Sequence, residues 1–232
     1  MSIWLLLATA LGIWLYRTDR IRIRPRTGPG ASADAWARQT AGPLHRLLAL
    51  LGIETSRYRL AARRKAGAVG ERRTARRLEL LPREGWTVLH DRRLPRRYDN
   101  SNLDHLLISP TGRVILTDSK RWSARFPLTV RNGQLLHGDL DVTDRLDGLH
   151  HETETVSELL GVPVTPLVVM DGPPIPAGQL VVDGVLIVPA DQALDTIRHL
   201  GRGAGTRPTR QLAHQAATLF PPYTRRPRSG RQ

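Results

Sequence analysis

The chain has no cysteine among its 232 residues, which excludes disulfide bonds, thiolate metal sites and a thiol nucleophile. Any metal ion must therefore be held by oxygen or imidazole ligands. Acidic residues are scarce between Arg17 and Arg77, where 4 Asp and Glu stand against 16 Lys and Arg, and the whole chain carries a net charge of +14. This flanking excess of positive charge attracts polyanions, which include both nucleic acids and anionic lipid head groups.

An uncharged run from Ser2 to Tyr16 is about 15 residues long, just short of the usual 17 to 25 for a helix that spans a membrane. Trp4 and Trp14 near its ends resemble interfacial anchors, and arginines follow at once from Arg17. We predict that residues 1–24 are a transmembrane anchor helix with a basic flank. The positive-inside rule then places the protein in the cell membrane as a single-pass protein whose C-terminal domain is cytoplasmic. An amphipathic or buried N-terminal helix is the alternative.

Three further segments follow the anchor. Residues 25–60 are predicted to be a linker, rich in Pro, Gly and Ala at its start, with a short amphipathic helix at Leu44 to Ile53. Residues 61–205 are predicted to form the core domain. Residues 206–232 are predicted to be a C-terminal helix and a basic, disordered tail.

Hydrophobic periodicity predicts an α/β fold for the core domain. The order is helix, three-stranded hairpin sheet, helix, strand. The main predicted elements are a helix at Ala66 to Leu81, strands at Trp86 to Asp91 and on both arms of Asn102 to Trp122, a helix at Asp144 to Gly161 and a strand at Val164 to Met170. Weaker strands are predicted at Pro127 to Val130, Gln134 to Leu136 and Gly184 to Val188, and later helices at Asp191 to Leu200 and Pro208 to Leu219.

The segment from Asn102 to Trp122 carries acids where core residues are expected. Two apolar arms flank Ser-Pro-Thr-Gly, a turn signal, so the segment is predicted to be a β-hairpin that closes about Thr111. That register places Asp104 opposite Asp118, and the alternation of side chains places Lys120 on the same face. Two facing carboxylates repel unless a cation or a shared proton lies between them, so a divalent metal site is predicted.

Glu71 is the third acid, on the apolar face of the predicted first helix. A carboxylate there needs a partner, since its burial costs several kcal/mol unless it is paired. The alternative is an exposed Glu paired with an arginine. We predict that Asp104, Asp118 and the main-chain carbonyl of Ser119 hold Mg²⁺ or Mn²⁺, with Glu71 completing the cluster directly or through water. Lys120 would orient or deprotonate the attacking water, which makes this a candidate site for phosphodiester hydrolysis.

These motifs resemble the nuclease-related domain (NERD) family, a branch of the PD-(D/E)XK nuclease superfamily. The resemblance rests on Gly70-Glu71, on Asn102-Leu-Asp104-His105 and on Gly112 to Trp122, and it covers roughly Ala66 to Met170. It implies a restriction-endonuclease-like core in which Glu71, Asp104, Asp118 and Lys120 correspond to the family's acidic and lysine motifs. It also implies a metal-dependent nuclease whose partner is nucleic acid, with DNA as the expected substrate.

The alternative function is a catalytically inactive module that binds nucleic acid or anionic lipid through its basic flanks. Two residues beside the motifs are expected to be structural. His105 lies on the opposite face of its strand from Asp104, so we expect hydrogen bonds behind the site, and Trp122 is expected to pack at the strand end.

Overall fold

A computed structural model describes residues 28–31, 56–95 and 101–223. The predicted anchor helix (1–24), the amphipathic helix at 44–53 and the tail beyond residue 223 lie outside the described residues. In the part of the chain that the structure describes, no helix is both long enough and apolar enough to cross a membrane. The membrane anchor therefore stays a prediction from the sequence.

Three antiparallel strands form the first half of the main sheet: β1 (Thr87–Arg93), β2 (Asn102–Ile108) and β3 (Val114–Arg121). The predicted hairpin is confirmed. β2 pairs with β3 from His105 opposite Thr117 to Ile108 opposite Val114, so the hairpin closes about Thr111. The turn is stabilised by a hydrogen bond from the main-chain N–H of Gly112 to the carbonyl of Ser109.

Three further strands complete this sheet. β7 (Val164–Asp171) lies parallel to β3, β9 (Val185–Pro189) lies parallel to β7, and β8 (Leu180–Val182) pairs antiparallel with β9 at the edge. The strand order is β1-β2-β3-β7-β9-β8. Pro166 lies near the start of β7, before the pairing with β9 begins at Leu167. A proline is tolerated there because it has no N–H to give to a second neighbour.

Helices cover both faces of the sheet, as expected for an α/β fold. One face packs against the end of α1 (Ser56–Leu78), the 3-10 helix Leu81–Glu84 and α3 (Ala193–Leu200). The other face packs against α2 (Asp147–Leu160) and α4 (Thr209–Leu219). A 3-10 turn, Thr143–Leu146, precedes α2, where the sequence predicted continuous helix from Asp144.

The predicted bounds of the first helix, Ala66 to Leu81, were wrong at both ends. The helix begins at Ser56 and ends at Leu78. The start was placed too late because the apolar stripe begins only near Ala68, whereas the preceding residues are good helix formers, mainly Arg, Ala and Leu, without such a stripe. The last predicted turn belongs to the 3-10 helix, in which Pro82 interrupts the α-helical hydrogen bonds.

A second, three-stranded sheet follows β3 and is called the small sheet below. It consists of β4 (Leu128–Arg131), β5 (Gln134–His137) and β6 (Leu140–Asp141). The predicted β4–β5 hairpin is confirmed, with the left-handed Asn132-Gly133 turn between the strands. The main-chain N–H of Leu128 donates to the carbonyl of Pro174, 2.9 Å away, which ties the small sheet to the loop after β7.

The C-terminal helix contributes to the core rather than to a separate tail. Leu212, Ala216 and Phe220 are fully buried in the cluster under α2. Beyond them, the chain runs along the edge of β1, where the N–H of Tyr223 donates to the carbonyl of Asp91 at 2.9 Å. The main sheet is thus covered at its β1 edge.

Two turn glycines allow a prediction about stability. Gly112 has φ +87, and a Cβ there would overlap the carbonyl oxygen of Arg207. Gly133 has φ +79, but a Cβ there meets nothing within 4 Å. Gly133→Ala should cost about 1 kcal/mol for the left-handed backbone alone, and Gly112→Ala about 2–3 kcal/mol because the overlap adds to it. Urea unfolding of both variants would measure the difference, and equal losses would contradict the packing of the hairpin tip against Arg207.

Candidate active site

The two hairpin acids lie one position beyond the paired part of β2 and β3. Extended by one position, the register that pairs His105 with Thr117 would set Asp104 opposite Asp118. Leu106 and Leu116, their neighbours two residues along each strand, belong to the core cluster under α2. By alternation, Asp104, Asp118 and Lys120 therefore share the face of the sheet that α2 covers.

Hydrogen bonds hold this group together. The main-chain N–H of Ser119 donates to Oδ2 of Asp104 at 2.9 Å, which ties the end of β2 to β3 through a side chain. Nζ of Lys120 forms an ion pair with Oδ2 of Asp118, and both side chains are about four-fifths buried, with exposed fractions of 18% and 20%. A carboxylate, an ammonium group and a second carboxylate thus meet at the end of the hairpin.

Glu71 reaches this group from the helix on the other face. α1 contacts β3 through Gly70, where a Cβ would lie 3.5 Å from the Cβ of Arg121 and 3.9 Å from the carbonyl oxygen of Ser119. The next residue, Glu71, is only 7% exposed, so the expectation that this acid is buried is confirmed. Burial, together with the nearby carboxylates of Asp91 and Asp118, raises the pKa of Glu71 to about 7.

The surroundings of Asp104 also disfavour its charged form. Burial raises the pKa of its carboxyl well above the usual range, and the charges of Glu71 and Asp118 raise it further, against the stabilising N–H of Ser119. Carboxyl groups that raise each other's pKa in this way form a cluster of negative charge that favours a proton or a cation between them.

Lys120 contributes a positive charge to this arrangement. Burial acts to lower its pKa, but Asp118, Asp104 and Glu152 outweigh burial, so the pKa of Lys120 lies above its usual range. The group is therefore a protonated ammonium at neutral pH. Of 35 basic residues in this arginine-rich chain only 2 are lysines. One of these two lysines is Lys120. Its compact ammonium on a flexible stem is chemically distinct from a planar guanidinium.

Two acids that act on the site were given no role in it from the sequence. Glu152 of α2 contributes to the raised pKa values of Asp104 and Lys120. It follows Leu149 and precedes Val156, both buried, so it carried the same signal as Glu71, an acid on an apolar helical face.

Asp91 is the other acid, on β1. It is 3% exposed, and its charge is the largest electrostatic contribution from another side chain to the raised pKa of Glu71. Its φ of +46 interrupts the strand, which is uncommon for a residue other than glycine. The Nδ2 of Asn102 donates to its carboxylate at 3.3 Å. No periodicity of a regular strand predicts such a position.

Behind the hairpin, two histidines form a buried chain to Ser119. Nδ1 of His90 lies 2.8 Å from Nδ1 of His105, whose Nε2 lies 3.2 Å from Oγ of Ser119. Burial lowers the pKa of His90 to about 4 and that of His105 well below its usual range, so both rings are neutral and one Nδ1 donates to the other. His105 thus makes the structural hydrogen bonds expected for it, and it positions Ser119 between Asp118 and Lys120.

The donor set fits a hard divalent cation. Within residues 28–31, 56–95 and 101–223, no group of three or more acidic or histidine side chains is placed to hold a metal ion between them. Mg²⁺, however, commonly takes only one or two protein carboxylates and keeps several waters. Asp104 and Asp118 could supply these two carboxylates, and the pKa of Asp104 is raised first by burial and then by the charges of Glu71 and Asp118, which a cation would neutralise.

A family comparison agrees with this geometry. Residues 66–171 match the family model described as NERD, nuclease-related domain. The chain contains a nuclease-related domain. The NERD family is part of the PD-(D/E)XK superfamily, whose members typically use divalent metals, and the resemblance drawn from the motifs is confirmed.

The match begins within α1 and ends at Asp171, the last residue of β7, so it contains Glu71, Asp104, Asp118 and Lys120. It leaves β8, β9, α3 and α4 outside, although these elements complete the sheet and its core. Neither the search of curated proteins nor the search of solved structures found a match. The match suggests a nuclease-related function for residues 66–171.

Proposed function

We propose that this NERD domain hydrolyses phosphodiester bonds of DNA with Mg²⁺ or Mn²⁺. One observation carries the proposal: the protonated Lys120 lies against Asp118 on the face shared with Asp104. A buried ammonium beside two carboxylates joins the groups needed to hold a cation and to contact a phosphate. Asp104, Asp118 and the carbonyl of Ser119 are the proposed ligands, and Glu71 is proposed to complete the site directly or through water.

A bound divalent ion would supply Lewis acidity at the phosphate and would lower the pKa of a coordinated water. Lys120 has the complementary role. Because the neighbouring carboxylates raise its pKa, Lys120 is a protonated ammonium in the metal-free domain and can donate hydrogen bonds to a water or a phosphate. It orients the attacking water and stabilises the negative charge that develops on the phosphoryl oxygens.

The remaining residues hold these groups in place. The Ser119 N–H fixes the carboxylate of Asp104, and the His90–His105 pair fixes the hydroxyl of Ser119 from behind. Glu152, on α2, adds negative charge that keeps Lys120 protonated. The site is thus preorganised by the hairpin, and α1 and α2 contribute from opposite faces of the sheet.

Incubation of the full chain with plasmid DNA tests the proposal. A shortened chain would have to retain residues 28–31, because the N–H of Gly30 stabilises the Glu71 carboxylate. We expect cleavage with Mg²⁺ or Mn²⁺ and none with EDTA, measured by conversion of supercoiled plasmid on a gel. Absence of cleavage with every divalent metal would contradict the proposal and would favour a domain that only binds polyanions.

A further inference from the structure

An exposed aromatic side chain lies between β3, the strand that carries Asp118 and Lys120, and the small sheet. Phe126, which precedes β4, is 45% exposed, although large apolar side chains are normally buried. Its ring is nonetheless held in place. Gly138 lies so close that a Cβ there would be 3.3 Å from Cδ1 of Phe126, and His137 packs edge-on, with ring centroids 6.0 Å apart.

This ring belongs to an aromatic row that starts at the end of the active-site strand. Trp122 directly follows β3, and its ring centroid lies 5.6 Å from that of His137, which in turn contacts Phe126. Trp122 packs against the core, as expected from its position at the strand end. Trp122 lies four positions after Asp118 in the chain, roughly 13 Å in an extended strand. Phe126 therefore lies within a few nucleotide lengths of the proposed metal ligands.

Positive charge accompanies the row. The guanidinium of Arg125 lies 5.3 Å from the centroid of the Phe126 ring, a cation–π contact, and Arg131 is exposed on the same stretch. Arg121 is also exposed there, with its Nε 3.7 Å from the carboxylate of Asp171. The acids of the small sheet are Asp139, in the turn between β5 and β6, and Asp141, in β6, which already accepts hydrogen bonds from Gln134 and Thr143. The side of the sheet that continues from β3 is therefore basic and aromatic.

We propose that Phe126, with Arg125, is a stacking site for an unpaired base of the nucleic acid that this domain acts on. The inference rests on the proposed function and narrows its substrate to DNA with a single-stranded stretch beside the cleaved bond. A base that is paired in a duplex is already stacked on both sides, whereas an unpaired base can stack on an exposed ring. Arg125 is exposed, so it can leave the ring for a phosphate when a base takes its place.

A nucleic acid fits this surface better than a protein partner. A stable protein interface buries about 800 Å² on each side. The other exposed apolar residues of the small sheet are Val130 in β4 and Leu140 in β6, and together with Phe126 they are too few side chains to fill an interface of that size. A single ring with flanking arginines meets the needs of a stacked base and its phosphates.

Binding of fluorescent oligonucleotides by the full chain in EDTA tests the proposal without any need for cleavage. Phe126→Ala should weaken binding of a single strand about tenfold, since stacking on one aromatic side chain contributes roughly 1–3 kcal/mol per base. Binding of the matching duplex should change less than twofold. Phe126→Tyr should keep wild-type binding, and Phe126→Leu, which retains apolar packing on Gly138 but has no ring, should lose as much as alanine.

Two controls separate stacking from charge and from loss of folding. Val181→Ala removes an apolar side chain that is 60% exposed on β8 and should leave binding unchanged. An oligonucleotide of equal length with abasic central positions should bind wild type and Phe126→Ala alike. The proposal is overturned if Phe126→Leu binds as wild type does, or if Phe126→Ala loses binding to anionic vesicles but not to the single strand. If the stacking effect is found without cleavage in any metal, the proposed hydrolysis fails and the stacking site stands.

Discussion

Replacing Lys120 with methionine should reduce DNA cleavage about 1000-fold while the domain stays folded. Loss of one preorganised group that stabilises transition-state charge typically costs 100- to 1000-fold in rate. Here the ammonium is also the partner of Asp118, so its removal leaves Asp118 and Asp104 without their compensating charge. Single-turnover cleavage of a labelled substrate, with thermal unfolding of the same preparation, would measure both effects.

Lys120→Arg is the sharper variant because it keeps the charge. A guanidinium is planar, larger and fixed in its donor directions, so it cannot replace a compact ammonium between Asp118 and the phosphate. We expect it to lose at least about 100-fold. Arg145→Met is the control, since Arg145 is 62% exposed and pairs only loosely with Asp144 at 3.6 Å. Cleavage by Lys120→Arg within a few-fold of wild type would show that position 120 contributes charge alone.

The hairpin could be predicted from sequence because its signals are local. Strand alternation fixes which side chains share a face, and the turn about Thr111 fixes the register, so the opposition of Asp104 and Asp118 followed from the chain alone. The buried position of Glu71 followed from helical periodicity in the same way. Glu71 lies on one helix, and Asp104, Asp118 and Lys120 lie on one hairpin. Both structures have clear sequence patterns.

Other parts of the site depend on tertiary packing. The placement of β7 beside β3 and of β9 beside β7 results from crossover connections through α2 and the β8 segment, whose packing no local pattern specifies. β8 and β6 have only 3 and 2 residues, too few for a period to be recognised. Asp91 has a left-handed backbone conformation that no strand pattern predicts. The hydrogen bond between Gly30 and Glu71 joins residues that are distant in sequence.

The raised pKa of Glu71 links metal binding and pH to the stability of the domain. Its folded-state pKa is about 7, against an ordinary value of 4.5, so the native protein binds more protons than the unfolded chain between these values. Stability of the metal-free protein should therefore fall as pH rises through this window. The loss is on the order of 3 kcal/mol, since each pKa unit between 4.5 and about 7 corresponds to about 1.4 kcal/mol. Asp104, whose pKa is also raised, acts in the same direction.

Urea unfolding in EDTA at pH 5 and pH 8 would measure this loss. Glu71→Gln replaces the protonated carboxyl with a neutral amide and should flatten the pH dependence, whereas Glu79→Gln, at an exposed glutamate just beyond α1, should leave it unchanged. Mg²⁺ or Mn²⁺ should stabilise wild type more at pH 8 than at pH 5, because a metal and protons compete for the same carboxylates. A wild type whose stability is equal at both pH values in EDTA would mean that Glu71 is not under the negative field of Asp91 and Asp118. The acid cluster would then provide no electrostatic reason to bind a cation.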